Sequence, residues 1–266
     1  MGEVMIEVQD LVKRYGGTPA VNGISFTVEK GEIFALLGPN GSGKTTTLES
    51  LEGIRRPDAG AMRVAGIDPT RQFGRLRDVI GVQLQTAALP AAMTVEEAMT
   101  FFGAYHGVTP RFDLIKRLGL QDRKGVQYGN LSVGLQRRLA LAVAVSHDPA
   151  VVFLDEPTAG LDVQSRVELH ELVRELRARG TTVILATHDM AEAEKLADRA
   201  AILLRGGIAA TGSPRQLTAA GDARTRISVS TENGTLLAGG RRFPGATAQG
   251  TRDEYALFLS DDPGAS

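Results

Sequence analysis

Short apolar runs bounded by turn residues recur along this chain and set its architecture. Ile33-Phe34-Ala35-Leu36-Leu37, Val151-Val152-Phe153-Leu154 and the β-branched stretch Thr181 to Thr187 are continuous rather than alternating. Such runs predict strands buried on both faces. Val79 to Gln85 is apolar until it stops at glutamine, and Ala200 to Leu204 is a last core run before the Gly206-Gly207 turn. Strict alternation appears over Met5 to Val8 and Asn22 to Val28, which predicts half-buried strands, and Ala61 to Val64 adds a further short strand. Lys13-Arg14-Tyr15-Gly16-Gly17 reads as a loop.

Helical periods fill the intervals. Thr45 to Leu51 follows a glycine-rich turn. Thr94-Val95-Glu96-Glu97 is a capping-box pattern opening a helix through about Tyr105, and Arg111 to Leu118 reads as another. Ser132 is a natural N-cap for an alanine- and leucine-rich run to about Ser146. Asp162 can cap a helix whose apolar stripe is Val163, Val167, Leu172, Val173 and Leu176, with Gly180 as its C′ residue. Ala191 to Ala197 is helical. The alternation of strands and helices predicts an α/β fold. Residues 86–145 have little strand character and read as a helical insertion. From about Gly221 the texture changes: Arg224 to Ser230 alternates, Asn233-Gly234 is a hairpin signal and Tyr255 to Leu259 reads as a strand. The expected organisation is a main domain over 1–220 and a small β appendage over 221–266.

Composition narrows the class. The chain has 266 residues, a formal net charge of −1 and no cysteine. A near-neutral balance gives no sign of a nucleic-acid partner, and the absence of cysteine excludes disulfides and thiolate metal sites. Met1 to Asp10 is too polar for a signal peptide, and no apolar run approaches the ~20 residues that span a bilayer. A soluble, cytoplasmic protein is expected, peripheral to a membrane if it serves one.

Candidate chemistry gathers where apolar runs end. Gly38-Pro39-Asn40-Gly41-Ser42-Gly43-Lys44-Thr45 fits G-x-x-x-x-G-K-[ST], the phosphate-binding P-loop. Its glycines let backbone N–H groups turn inward as an anion nest. Lys44 can reach phosphates as a point charge, Thr45 can ligate Mg²⁺, and the following helix presents its positive end. Val151 to Leu154 ends in Asp155-Glu156, where ligands bind in open α/β sheets. Asp155 suits Mg²⁺ and Glu156 suits general-base work; a helix-capping acidic pair is the plainer alternative. Gln85, at the end of its own run, could serve a metal or water, or simply face solvent. His188 ends a third run at the same edge. His106, His147 and His170 have no such placement. Ser132 and Gly134 open either an ordinary capped helix or a second anion-binding helix N-terminus.

Assembled in order, these stretches resemble the ATP-binding cassette family, the ATPase subunits of ABC transporters. The resemblance covers about residues 4–217. It rests on the P-loop, Gln85, Leu131-Ser132-Val133-Gly134-Leu135, Asp155-Glu156-Pro157-Thr158, Ala159-Gly160-Leu161-Asp162 and His188. It implies a P-loop NTPase core with a mixed sheet, an inserted helical subdomain, and ATP with Mg²⁺ as ligands. Tyr15 would stack on adenine. Gly38, Asn40, Gly41, Ser42, Gly43, Lys44, Thr45 and Thr46 would hold the phosphates. Thr45, Gln85 and Asp155 would serve Mg²⁺. Glu156 would be the catalytic base, with Gln85 near the attacking water and His188 on the γ-phosphate. Ser132 and Gly134 would touch ATP held by a second cassette, with Asp162 bridging the two sites. The partners implied are a separate membrane permease and a second copy of the cassette.

The family's usual L-S-G-G-Q is altered here. Val133 and Leu135 replace a glycine and the glutamine, and a β-branched residue at 133 disfavours a positive φ. The segment Gly81 to Glu97 looks like the drug- and antibiotic-export group. An importer subunit is the competing reading. A soluble ribosome-acting ABC protein would usually carry two cassettes, and a chromosome-type ATPase would need heptads that the segment between P-loop and signature lacks.

Overall fold

The computed structural model describes residues 2–84, 89–220, 225–230, 246–252 and 255–260. The chain divides into two compact units, Met1–Pro214 and Arg215–Ser266. In the first unit, strands β1 (Val4–Tyr15) and β2 (Thr18–Glu29) lead to β3 (Ile33–Leu37), helix α1 (Lys44–Leu51), β4 (Ala59–Val64), the short α2 (Phe73–Leu76) and β5 (Ile80–Gln83). The insertion comes next as α3 (Val95–His106), α4 (Phe112–Arg117) and α5 (Val133–Ala144), with two 3-10 turns between the last two. Then come β6 (Val151–Asp155), α6 (Val163–Ala178), β7 (Thr182–Thr187), α7 (Met190–Leu196), β8 (Arg199–Leu204) and β9 (Gly207–Gly212).

The central sheet has the order β5-β6-β7-β3-β8-β9, parallel except for the antiparallel edge pair β8–β9. A separate antiparallel sheet, β2-β1-β4, packs on one side. The continuous apolar runs are explained by this sandwiching. Along β6, Val151 and Phe153 enter the core shared with β1, β2, β4 and α1, while Val152 and Leu154 enter the core shared with α3, α5 and α6. β3, β6 and β7 are buried at every position. Their C-terminal ends therefore lie side by side at one edge, and the residues just beyond each strand converge there.

Several local expectations change. Lys13-Arg14-Tyr15 is the end of β1 rather than a loop, because a hairpin to β2 pairs Arg14 with Pro19 and Tyr15 with Thr18. The stripe of α6 is rotated: Val163 and Val167 are exposed, and the buried face is carried by Leu169, Leu172, Val173 and Leu176. The capping box at Thr94 forms as expected, with Glu97 N–H donating to Thr94 Oγ1 and Thr94 N–H to Glu97 Oε2. Val133 carries no positive φ; it is simply the first residue of α5 after its Ser132 cap.

In the second unit, α8 (Pro214–Ala220) begins at the boundary, and β10 (Thr225–Ser230), β11 (Ala246–Arg252) and β12 (Tyr255–Ser260) form a sheet of order β10-β12-β11. Asn233-Gly234 lies outside the described residues; β10 and β11, on either side of it, pair with β12 rather than with each other.

Candidate functional site

The loop between β3 and α1 is forced into its path by glycine. Gly43 sits at φ +107°, and a Cβ there would stand 2.5 Å from the Ala20 carbonyl oxygen. At Gly38 a Cβ would collide with the Leu203 carbonyl oxygen. Both positions therefore exclude a side chain, and the loop folds closely over β2 and β8. Lys44 is buried; its Nζ donates to the carbonyls of Gly38 (2.7 Å) and Pro39 (3.3 Å) and stands 3.6 Å from Glu156 Oε1.

β6 delivers the acidic pair to the same place. Asp155 Oδ2 accepts from the Thr45 hydroxyl at 2.8 Å, whereas Oδ1 is buried with no hydrogen-bond partner among the described residues. Burial pushes the Asp155 carboxyl above its usual range, against the Thr45 hydrogen bond. A hydroxyl beside a buried carboxylate with a spare lone pair is the donor set that suits a hard cation such as Mg²⁺, which takes one or two carboxylates together with substrate phosphates. Among the described residues no cluster of three or more His, Asp or Glu forms an all-protein cage.

Glu156 is buried, and its Oε2 lies 2.8 Å from Nδ1 of His188, which follows β7 and is mostly exposed. Its backbone is unusual: φ is +47°, left-handed for a non-glycine residue. Outliers of this kind persist only where surrounding contacts over-determine them, and they cluster at functional sites. A cleft of about 260 Å³ opens over this group, lined by Asn40, Gly41, Lys44, Thr45, Thr46 and Glu156 among others.

The remaining sequence-derived candidates lie elsewhere. Tyr15 is half-exposed, with the Arg55 guanidinium 5.4 Å from its ring centre, and is not among the described residues lining the cleft. Gln85 lies outside the described residues. Ser132, Gly134 and Asp162 gather in a second group. Ser132 caps α5, and Asp162 caps α6 by accepting from Ser165 N–H at 2.8 Å and from its hydroxyl at 2.7 Å. A methyl group at Gly134 would meet Leu161 and Ser165 at 3.6 and 3.7 Å, which is ordinary contact, so nothing among the described residues requires glycine there.

Comparison with known proteins decides the family. The family model described as "ABC transporter" matches residues 21–159. The chain belongs to the ABC transporter family. It is 42% identical over 218 residues to the Nod factor export ATP-binding protein I of Burkholderia lata, covering 80% of this chain and 72% of that protein. The protein of the same name from Rhizobium sp. (strain N33) is 43% identical over 224 residues, covering 82% and 73%. Among solved structures, an ATP-binding subunit of an ABC transporter superposes with a TM-score of 0.75 at 28% identity, covering 82% of this chain and 95% of that one. The cassette is thus an ATP-binding subunit with the ATPase activity of its family, which uses ATP with Mg²⁺. No helix among its described residues is long and apolar enough to cross a membrane.

Three residues of the cassette's site were not legible in the sequence. Ala20 reaches the cleft from β2. Arg137 donates from Nη1 to the Glu156 carbonyl at 3.0 Å. Glu52, at the end of α1, is buried close enough to Asp155 to feel its charge. The adjacent arginines of Gln136-Arg137-Arg138, just after the signature, were the available signal for the second.

Proposed function

We propose that this cassette is the ATP-hydrolysing subunit of an exporter and works as one of a pair beneath a separate membrane permease. The observation that carries the chemical part is the meeting of Lys44, Asp155, Glu156 and His188 at the ends of three adjacent strands. Lys44, Thr46 and the loop amides bind the nucleotide phosphates. Thr45 and Asp155 would hold Mg²⁺, which when bound would supply neutralisation of the phosphate charge. Glu156 accepts a proton from the attacking water and orients it, and His188 fixes the Glu156 carboxylate through Nδ1 while keeping its other nitrogen for the γ-phosphate. The hydrolytic step is positioning and charge stabilisation rather than covalent chemistry.

Ser132, Gly134 and Asp162 serve the nucleotide of the paired cassette. Their absence from the lining of this chain's own cleft supports that reading. The permease docks on an apolar groove of about 260 Å³ between β5 and α3, which includes Ile54, Phe73, Leu84, Phe102 and Tyr105. Such a peripheral subunit sits on the cytoplasmic face of the membrane. The names of the relatives support the export direction, and cargo selection falls to the permease.

Co-expression with a polytopic permease that lacks its own cassette tests this function. The expected result is recovery of the cassette in the membrane fraction and permease-stimulated ATP hydrolysis in reconstituted vesicles. A cassette that stays unbound and unstimulated would overturn the transporter role.

A further inference from the structure

Glu156 is held in its left-handed backbone conformation from three sides. Its N–H donates to the Ala186 carbonyl at 2.9 Å, and its own carbonyl accepts from Ala159 N–H at 3.2 Å and from Arg137 Nη1 at 3.0 Å. The conformation needs such support, because φ is +47° at a non-glycine residue that also precedes Pro157, and both features restrict the backbone. Of the three contacts, only the one from Arg137 is made by a side chain. Arg137 is half-buried in α5, and its Nε is enclosed with no hydrogen-bond partner among the described residues. The next residue anchors the same helix to the second group: Arg138 Nη2 donates to Ser165 Oγ at 2.8 Å, and Ser165 Oγ donates to Asp162 at 2.7 Å.

We infer that Arg137 is a positioning residue for hydrolysis. By clamping the Glu156 carbonyl it fixes the peptide from which the carboxylate projects between Lys44 and His188. It also joins that peptide to α5, the helix that begins at Ser132 and Gly134. The role rests on the reading of Glu156 as the base. Arg137 is not among the described residues lining the cleft, so its loss slows the chemical step and spares binding.

The test compares Arg137→Ala, Arg137→Lys and Glu156→Gln, alone and with Arg137→Ala combined with Glu156→Gln, in the full chain. ATP affinity, single-turnover and steady-state hydrolysis, and thermal unfolding are measured on each. Arg137→Ala is expected to lower kcat at least tenfold, with KM and nucleotide affinity within about twofold and an unfolding transition like that of the parent. Arg137→Lys, which keeps a donor, recovers part of the rate and serves as the second variant if the alanine form folds poorly. In the Glu156→Gln background Arg137→Ala should cost nothing further, because residues acting through one group are not additive. Turnover within twofold of the parent in Arg137→Ala, or an equal loss in the Glu156→Gln background, overturns the inference while leaving Glu156 as base. A fast Glu156→Gln variant overturns both.

Discussion

Nδ1 of His188 and Oε2 of Glu156 lie 2.8 Å apart, joining the ends of the neighbouring strands β7 and β6. The glutamate is nearly enclosed, and the histidine is exposed over more than half its side chain. The exposed ring can therefore reach substrate while its other nitrogen steadies the carboxylate. His188→Ala should lower turnover by roughly 10²-fold, the scale of one lost transition-state contact, and weaken ATP binding only slightly. Steady-state hydrolysis and equilibrium binding check this, and a variant with normal turnover would detach His188 from the reaction.

The phosphate loop and the acidic strand end were readable because both are local. A glycine pattern and an apolar run ending in carboxylates need no knowledge of distant contacts. The contacts of Arg137 and Glu52 span different elements, so no short window reveals them. β9 escaped for a different reason. Gly207-Ile208-Ala209-Ala210-Thr211-Gly212 has poor strand propensity, and pairing with the buried β8 overrides it. On α6, Val163 and Val167 suggested the wrong phase, since the buried face is set by the packing of Leu169 and Leu172 against the core. Tyr15 looked like a loop residue because its neighbours are polar. The strand there is a ribbon with register shifts, which breaks the alternation that would have marked it.

Glu52 gives the cassette a signature in its pH dependence. Burial, reinforced by the charges of Asp155 and Glu49, pushes its carboxyl up to about 8. The unfolded chain releases this proton near pH 4.5 while the folded chain keeps it, so folding becomes less favourable as pH rises from there to about 8 and levels off beyond. Glu52→Gln cannot ionise. Its stability relative to the parent should rise by on the order of a few kcal/mol across that window. Urea unfolding of both proteins at several pH values measures the difference, and parallel curves would contradict it.

In the proposed pair of cassettes the altered signature would act through the surface, since Val133 carries no positive φ. Val133 is exposed with helical geometry, and Leu135 packs partly against the core. Val133→Gly with Leu135→Gln should tighten the ATP-dependent dimer in a Glu156→Gln background. It should also lower fold stability by about 1–3 kcal/mol through a helical glycine and lost burial. Light scattering with ATP reads the dimer; an unchanged or weaker one would contradict the expectation.

Permease docking should depend on the apolar groove more than on the acidic start of α3. Glu97 is committed to the Thr94 cap, so reversing its charge would disturb the helix itself. Phe73 and Tyr105 are each about half exposed beside the groove. Phe73→Asp with Tyr105→Asp should reduce recovery with the permease by tenfold or more and leave ATP affinity unchanged. Undiminished co-purification would place the contact elsewhere.

The assignment of Glu156 as the base is tested most directly by hydrolysis and nucleotide binding measured side by side on Glu156→Gln and Lys44→Ala. Glu156→Gln keeps shape and hydrogen bonding but removes the basic charge, so turnover should fall by roughly 10²–10⁴-fold with ATP affinity little changed. Lys44→Ala removes the buried ammonium that faces Glu156 and the phosphate loop, so binding and turnover should fall together. Hydrolysis by Glu156→Gln within a few-fold of the parent would contradict the account and leave His188 as the group to examine.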